Sequence, residues 1–217
     1  VLVPIEHPKH REWLDKVYQH CHFIAGYFSR HSSANNHLFG EYMGLYAACM
    51  TWPCWSESRR WLDVARRGLE EEAIEQNHAD GVNKEQAVYY QHEVMDMMLL
   101  CQVIARAGGD TFSQAYLARL EKLAEFVSAL MDVAGHVPMT GDADDAQMVR
   151  LAYGEGWCPY RSLLAGCAIL FGRGDFRHKA GELDDKNKWL FGEAGARAWA
   201  QLRSEPERTV MAFPQGG

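Results

Sequence analysis

The chain has 217 residues, of which 47% are hydrophobic and 24% are charged, a composition typical of a globular rather than a disordered protein. Its net charge of −7, without a Lys/Arg run, argues against nucleic acid as a partner, because phosphate binding needs a basic face. No apolar run reaches the roughly 18 residues of a membrane span, so we expect no membrane partner. The chain begins at Val1 without Met, and we expect it to be a piece of a longer protein.

Apolar residues recur with the helical period along the chain, and no segment shows sustained alternation, which predicts an all-α fold. The first predicted helix runs from Trp13 to Ile24. The second runs from Asn36 to Met50 and ends before Pro53, where proline makes continuation costly. The third runs from Leu62 to Ala73 and ends before a turn at Asp80-Gly81.

The fourth predicted helix is long, from Lys84 to Ala107, and the Gly108-Gly109 pair stops it. A fifth covers residues 111–133. Three more helices are predicted farther on: a short one within 139–153, and longer ones over 162–171 and 186–202.

The connections between these helices are mostly short, which favours packing as antiparallel hairpins. No fixed-period repeat supports a solenoid. We therefore expect one helical domain over residues 1–204, followed by an extended linker over residues 205–217 that is punctuated by Pro and Gly.

The six cysteines are scattered, without a CxxC pair or the spacing of a zinc site. We expect mostly free, buried thiols, with no metal site and no cofactor. The cysteines are Cys21, Cys49, Cys54, Cys101, Cys158 and Cys167.

The stretch SSANNHLFGE places Asn35, Asn36 and His37 together at the start of the second predicted helix. Glu41 lies four residues after His37, so both share one helical face and Glu41 is placed to orient His37. The alternative is that Asn35 or Asn36 caps the helix and that His37 is a surface residue.

A second polar concentration is DGVNKEQAVYYQHEVMD, residues 80–96. If it is helical, Gln86 shares a face with Tyr90, and Tyr89 shares a face with Glu93. The tyrosines are either a catalytic phenol and its neighbour, or a buried core aromatic beside a partly exposed one.

The third motif is GDADD, residues 141–145, whose spacing does not fit an EF-hand calcium loop. We expect Asp142, Asp144 and Asp145 to accept hydrogen bonds in a loop and at a helix start near the site, rather than to bind a metal.

Taken in order, the three motifs resemble the helical part of the heparinase II/III-like polysaccharide lyases, a group that includes alginate and oligoalginate lyases. The resemblance begins near Trp13 and extends to the C-terminus. It implies an incomplete (α/α) toroid that is followed, in full-length members, by antiparallel β-sandwich sheets. The closing FPQGG is similar to the family's crossing into that β region.

The resemblance also implies roles for individual residues. Asn36 and His37 match the family's pair that binds and neutralises the uronate carboxylate, and Tyr90 matches the tyrosine that donates or accepts the proton. A further catalytic histidine is expected on the missing β-sandwich, so we expect the chain alone to be inactive. The residues expected to bind substrate are Asn35, Glu41, Gln86, Tyr89 and Asp142.

The implied activity is β-elimination of a uronate-containing acidic polysaccharide or oligosaccharide by a bacterial enzyme. Removing the C5 proton beside a carboxylate develops enolate-like charge, which hydrogen-bond donors must stabilise. The expected partner is the β-sandwich domain of the same parent chain. We favour a periplasmic or extracellular location over a cytoplasmic one.

Two other function classes remain open at this point. An inverting glycoside hydrolase would use carboxylates from GDADD with Glu41 or Glu93, set roughly 6.5–9.5 Å apart. A non-catalytic helical domain would stack sugars on Trp52, Trp55 and Trp61, although tryptophans at such density more often pack in a core.

Overall fold

The structure is a computed structural model that describes residues 8–143, 147–152, 154, 156–206 and 211–216. That part of the chain contains eight α-helices and no β-strand, only an isolated bridge between Asn77 and Asn83. The predicted all-α class is confirmed. The helices are α1 (Pro8–Gly26), α2 (Asn36–Thr51), α3 (Ser58–Glu75), α4 (Val88–Ala107), α5 (Gln114–Leu130), α6 (Pro159–Phe171), α7 (Gly174–Ala180) and α8 (Asp185–Gln201).

The chain forms two compact units, which meet in sequence between Leu69 and Glu70 within α3. In the first unit α1 packs against α2 as a helical hairpin. Its core is aromatic and aliphatic, with Phe39, Leu45 and Trp61 each at most 2% exposed. None of the helices in the described ranges is both long and apolar enough to cross a bilayer.

In the second unit α6 is the central helix, since it contacts α4, α5, α7 and α8. Its sequence explains this position, because residues 162–168 are buried without interruption. The helix ends at Gly172, which adopts the left-handed conformation (φ 69°) that favours glycine. α4 is also buried almost all around, which suits a helix enclosed by neighbours.

The helix predictions differ from the structure in three respects. α4 begins at Val88 and not at Lys84, because Gln86 adopts a positive φ of 54° that a helix cannot contain. The short helix expected within 139–153 does not form in the described residues 139–143 and 147–152. The sequence did not predict α7, whose start is held by ion pairs from Arg173 to Glu121 of α5 and to Asp175.

All six cysteines are free, and four of them are buried, as expected. Cys54 is the exposed exception, and Cys158 is half-buried. Burial raises the pKa of Cys49 to about 12, so this thiol stays protonated and unreactive at neutral pH.

Candidate functional site

The N-terminus of α2 carries the first motif. Asn35 is the N-cap, and its side-chain oxygen accepts a hydrogen bond from the backbone N–H of His37 (3.2 Å). Asn36 is half-buried and His37 is exposed in the first helical turn, while Leu38 and Phe39 behind them are buried. The apolar run therefore anchors the helix and leaves the Asn-His pair at its positive end, where an anion is favoured.

Glu41 lies one turn farther along α2 and binds the connection that precedes this helix. Its Oε2 accepts a hydrogen bond from the Ser29 N–H (2.8 Å), and its Oε1 accepts one from the Ser29 hydroxyl (2.6 Å). Both carboxylate oxygens thus hold Ser29. Glu41 fixes the loop in front of the Asn-His pair, and its expected role in orienting His37 stays a prediction.

The three tryptophans of the sugar-stacking alternative pack within the first unit. Trp61 is 2% exposed, Trp52 lies edge-on against Trp13 with ring centroids 4.7 Å apart, and Trp55 lies 5.9 Å from Tyr18. Such mutual packing is typical of a core rather than of an open sugar platform.

In the second unit, residues 76–87 form the connection between α3 and α4, here named the α4 loop. Three buried amides build its interior. Asn83 donates to the side chain of Asn77 (2.9 Å), and Gln91 accepts from the Asn83 N–H and donates to the Gly81 carbonyl (both 2.8 Å). Satisfied amides of this kind hold a loop rigidly without a hydrophobic core of its own.

The end of the α4 loop sets where α4 begins. Ala87 is the N-cap but has no capping side chain, so the first N–H of the helix, on Val88, instead donates to the Thr140 carbonyl (3.1 Å). Gly141 packs against Ala87, where a Cβ on the glycine would lie 2.7 Å from the Ala87 Cα. Thr140 and Gly141 therefore lie directly on the N-terminus of α4.

Tyr89 and Tyr90 occupy the first turn of α4, and both are half-buried. The alternative in which one of them is a buried core aromatic does not hold, because neither side chain is fully buried. The Tyr90 hydroxyl donates a hydrogen bond to Asp142 Oδ2 (3.2 Å). Gln86 lies before α4 and does not share a helical face with Tyr90, contrary to the prediction.

Asp142 also accepts from the backbone N–H of Ala143 through Oδ1 (2.9 Å), so it serves as the loop hydrogen-bond acceptor that was expected. Asp144 and Asp145 lie outside the described residues. Among the described residues, no group of three His, Cys, Asp or Glu side chains is arranged to hold a metal ion.

Below the tyrosine turn, α4 carries a buried ionic group. Lys186 of α8 donates to Asp96 Oδ1 (2.6 Å), and the two side chains are 4% and 2% exposed. His92 lies one turn before Asp96, with its ring 5.1 Å from that of Tyr160. Burial, opposed by Asp96 and reinforced by Lys186, lowers the pKa of His92 to about 4, so this histidine is neutral at physiological pH.

The sequence reasoning missed the polar residues that hold the α4 loop. These are the buried amides of Asn77, Asn83 and Gln91 and the carboxylate of Asp80. Their signal was the density of amides around the second motif. A polar residue near a predicted turn is ordinarily exposed, so the pattern did not distinguish a buried scaffold from a solvated loop.

Two kinds of chemistry are available, one at the start of α2 in the first unit and one at the start of α4 in the second unit. The start of α2 presents an imidazole and an amide at a positive helix end, which suits a carboxylate. The start of α4 presents a phenol whose proton is directed at a carboxylate, which suits proton transfer.

Comparison with known proteins identifies the family of the chain and a solved structure that resembles it. Residues 7–160 match the family described as Heparinase II/III N-terminus, and no curated protein matches the chain. Among solved structures, the chain is similar to a mutant of the heparan sulfate lyase HepC from Pedobacter heparinus, with a TM-score of 0.59 and 19% sequence identity. The similarity covers 78% of this chain and 25% of that lyase, so the chain spans about a quarter of its length.

At this identity the structural likeness shows a shared helical fold, consistent with the helical-hairpin architecture of an (α/α) toroid portion. The family match extends over most of the chain and contains Asn36, His37, Tyr90 and Asp142. The chain therefore belongs to the heparinase II/III N-terminus family.

Proposed function

We propose that this chain is the helical part of a polysaccharide lyase that cleaves a uronate-containing acidic polysaccharide by β-elimination. Membership of the heparinase II/III N-terminus family supports the enzyme class. The observation that carries the chemical proposal is the hydrogen bond from the Tyr90 hydroxyl to Asp142, which holds a protonated phenol at the rim of the fold.

The first step of the proposed reaction is recognition of the uronate carboxylate by Asn36 and His37. The exposed imidazole of His37 and the amide of Asn36 lie in the first turn of α2, where the helix dipole also favours an anion. When the C5 proton leaves, negative charge spreads onto this carboxylate. Donors that bind it more strongly as the charge grows lower the barrier.

The second step is proton transfer by Tyr90. As the C4–O bond breaks and the C4–C5 double bond forms, the departing glycosidic oxygen takes the phenolic proton of Tyr90. In a syn elimination the tyrosine starts as the phenolate, takes the C5 proton and then delivers that proton to the departing oxygen, whereas in an anti elimination it starts as the phenol and another group takes the C5 proton. The bond to Asp142 fixes the phenol in one orientation, which is what a general acid needs.

The proposed substrates are uronate polymers such as heparan sulfate, the substrate class in the name of the structurally similar lyase, and alginate. Asn35, Glu41, Gln86, Tyr89 and Asp142 are proposed to line or support the substrate groove. A β-sandwich domain of the parent chain is the proposed partner that supplies a further catalytic histidine.

The described carboxylates favour a lyase over an inverting hydrolase. Glu93 is 3% exposed, so a substrate cannot reach it, and both oxygens of Glu41 hold Ser29. Asp142 already accepts from Tyr90 and from Ala143. An inverting hydrolase needs one carboxyl group that can protonate the leaving oxygen and a second that is free to activate water.

The test is an ultraviolet assay for the unsaturated uronate product, run with heparan sulfate and alginate on the complete protein that carries this chain. The wild type should produce the absorbance, and Tyr90→Phe should abolish it while saccharide binding persists, because little packing volume is lost. Tyr27→Phe removes a phenol from a residue that follows α1 and is 72% exposed, and it serves as the matched control. Near-wild-type elimination by Tyr90→Phe would refute the role of Tyr90 as the proton donor.

A further inference from the structure

The C-terminal residues 211–216, here named the strap, fold back onto the α4 loop. Phe213 of the strap packs edge-on against Phe126 of α5, with ring centroids 4.9 Å apart. The strap also forms hydrogen bonds with the turn at Asp80 and with Gln86. The strap is thus fastened beside the loop that leads into α4.

Asp80 forms the centre of this contact. Its Oδ2 accepts hydrogen bonds from the backbone N–H groups of Gln215 (2.7 Å) and Gly216 (3.1 Å). In return, the Gln215 side-chain oxygen accepts from the Ala79 N–H (3.2 Å). Burial opposes the charge on Asp80, but hydrogen bonds from the backbone amides of Gln215, Gly216 and Val82, with His78 nearby, outweigh burial, so the pKa of Asp80 lies below the usual value. The clamp is therefore a charged one at neutral pH, and stronger than a neutral pair.

Gly216 of the strap also contacts two residues of the α4 loop, Val82 and Gln86. Its carbonyl accepts a hydrogen bond from Gln86 Nε2 (3.2 Å), and its Cα lies so close to Val82 that an added Cβ would be 2.1 Å from the Val82 Cβ. Gln86 itself has a φ of 54°, a strained conformation for a residue other than glycine. Strain of this kind persists only where neighbouring contacts hold it.

The position of Gln86 decides how α4 starts. Ala87 follows as the N-cap, and Tyr90 lies in the first turn of the helix. A relaxed Gln86 would allow the helix to extend backward, as the sequence pattern itself predicts for residues from Lys84 onward. The first turn would then lose the bond from the Val88 N–H to the Thr140 carbonyl that sets its direction.

We propose that Asp80 is a positioning residue whose carboxylate clamps the strap, so that Gly216 holds Gln86 and, through Gln86, the turn that carries Tyr90. The effect on catalysis rests on the function proposed above, whereas the physical coupling between the strap and the α4 loop is independent of that function.

The test compares amide hydrogen exchange in Asp80→Ala with that in the wild type, using the complete protein. Exchange should accelerate at least roughly tenfold in the strap and also in residues 83–90, because the charged hydrogen bonds that protect them are lost. Peptides from α6 should not change. Glu71→Ala, which removes an exposed carboxylate from α3, should leave all of these rates unchanged.

A second variant reaches the same contact from its other side. Gly216→Ala places a Cβ against Val82 and should accelerate amide exchange in both the strap and residues 83–90. The double variant Asp80→Ala with Gly216→Ala should exchange no faster than either single variant, because both changes break the same contact. Release of the strap with unchanged exchange in residues 83–90 would overturn the coupling. Unchanged exchange in the strap would overturn the clamp. If Asp80→Ala fails to fold, Asp80→Asn and Gly216→Ala decide the question.

The kinetic arm separates the two proposals. If the wild type is a lyase, Asp80→Ala should lower kcat about tenfold with a smaller effect on KM, and Asp80→Asn, which keeps an acceptor oxygen, should recover part of the loss. An unchanged kcat with a released strap would refute the positioning role. A wild type that forms no unsaturated product would refute the lyase function, and the exchange results would still decide the coupling.

Discussion

The Tyr90 hydroxyl and the Asp142 carboxylate, which are 52 positions apart in the sequence, form a hydrogen bond of 3.2 Å. This contact joins the second and third sequence motifs, since the loop of Asp142 also caps the first N–H of α4 through Thr140. The acidic loop therefore supports the tyrosine turn, and its proposed contribution to catalysis acts through Tyr90.

Asp142→Ala should lower turnover and slightly lower stability. The variant removes the acceptor of the Tyr90 hydroxyl and of the Ala143 N–H, both near the surface, so we expect a loss of about 1 kcal/mol in the free energy of unfolding. Urea denaturation and the elimination assay measure the two effects. Asp142→Asn, which retains an acceptor oxygen, should be milder, and wild-type turnover in Asp142→Ala would contradict the supporting role.

His37→Ala should weaken substrate binding and turnover together, because the proposed carboxylate contact exists in both the ground state and the transition state. The loss of one charged hydrogen bond corresponds to about 1.5–3 kcal/mol in kcat/KM. Stability should not change, since His37 is exposed. Exposed His31→Ala is the control, and an unaltered kcat/KM in His37→Ala would count against carboxylate binding at α2.

Lys186→Met should destabilise the protein by about 3–5 kcal/mol, because it leaves the charge of Asp96 buried without its partner. Replacing both residues by apolar ones, Lys186→Met with Asp96→Leu, should recover much of that loss. Lys188→Met breaks an exposed pair with Asp185 and should leave the free energy of unfolding almost unchanged, because solvent screens the pair. Urea unfolding curves measure all three, and equal effects of the two lysine variants would show that burial does not govern the pair.

His92 should make stability depend on pH in the mildly acidic range. Its pKa falls from 6.5 to about 4 on folding, so the unfolded chain binds a proton that the native protein does not. Stability contributed by the neutral ring is full above the unfolded pKa of 6.5 and is lost as the pH falls toward about 4, by roughly 3 kcal/mol in total.

The measurement is the free energy of urea unfolding as a function of pH for the wild type and for His92→Leu. The variant removes the titrating ring, so its curve should be flatter between these two pH values. Both ring nitrogens of His92 lack a hydrogen-bond partner among the described residues, so the replacement forfeits no such bond. Parallel curves for the two proteins would refute the assignment.

Local signals were sufficient for several helix ends. Asn35 caps α2 where the amides precede an apolar run, and Gly172 ends α6 in the left-handed conformation. Both effects involve residues within one turn of the helix end, so they can be predicted from the sequence. The same local logic failed for α4, because Gln86 adopts a positive φ, and its side chain donates to the Gly216 carbonyl, 130 positions away.

The sequence by itself determined the all-α class, the order of the main helices and the three motifs that indicated the family. Only the tertiary structure decided the partners: Asp142 for Tyr90, Ser29 for Glu41, and the strap for Asp80. Periodicity and capping act over one or two turns of chain, so sequence is enough to predict them. A hydrogen bond between distant segments depends on how loops converge after packing, and no local pattern encodes that convergence.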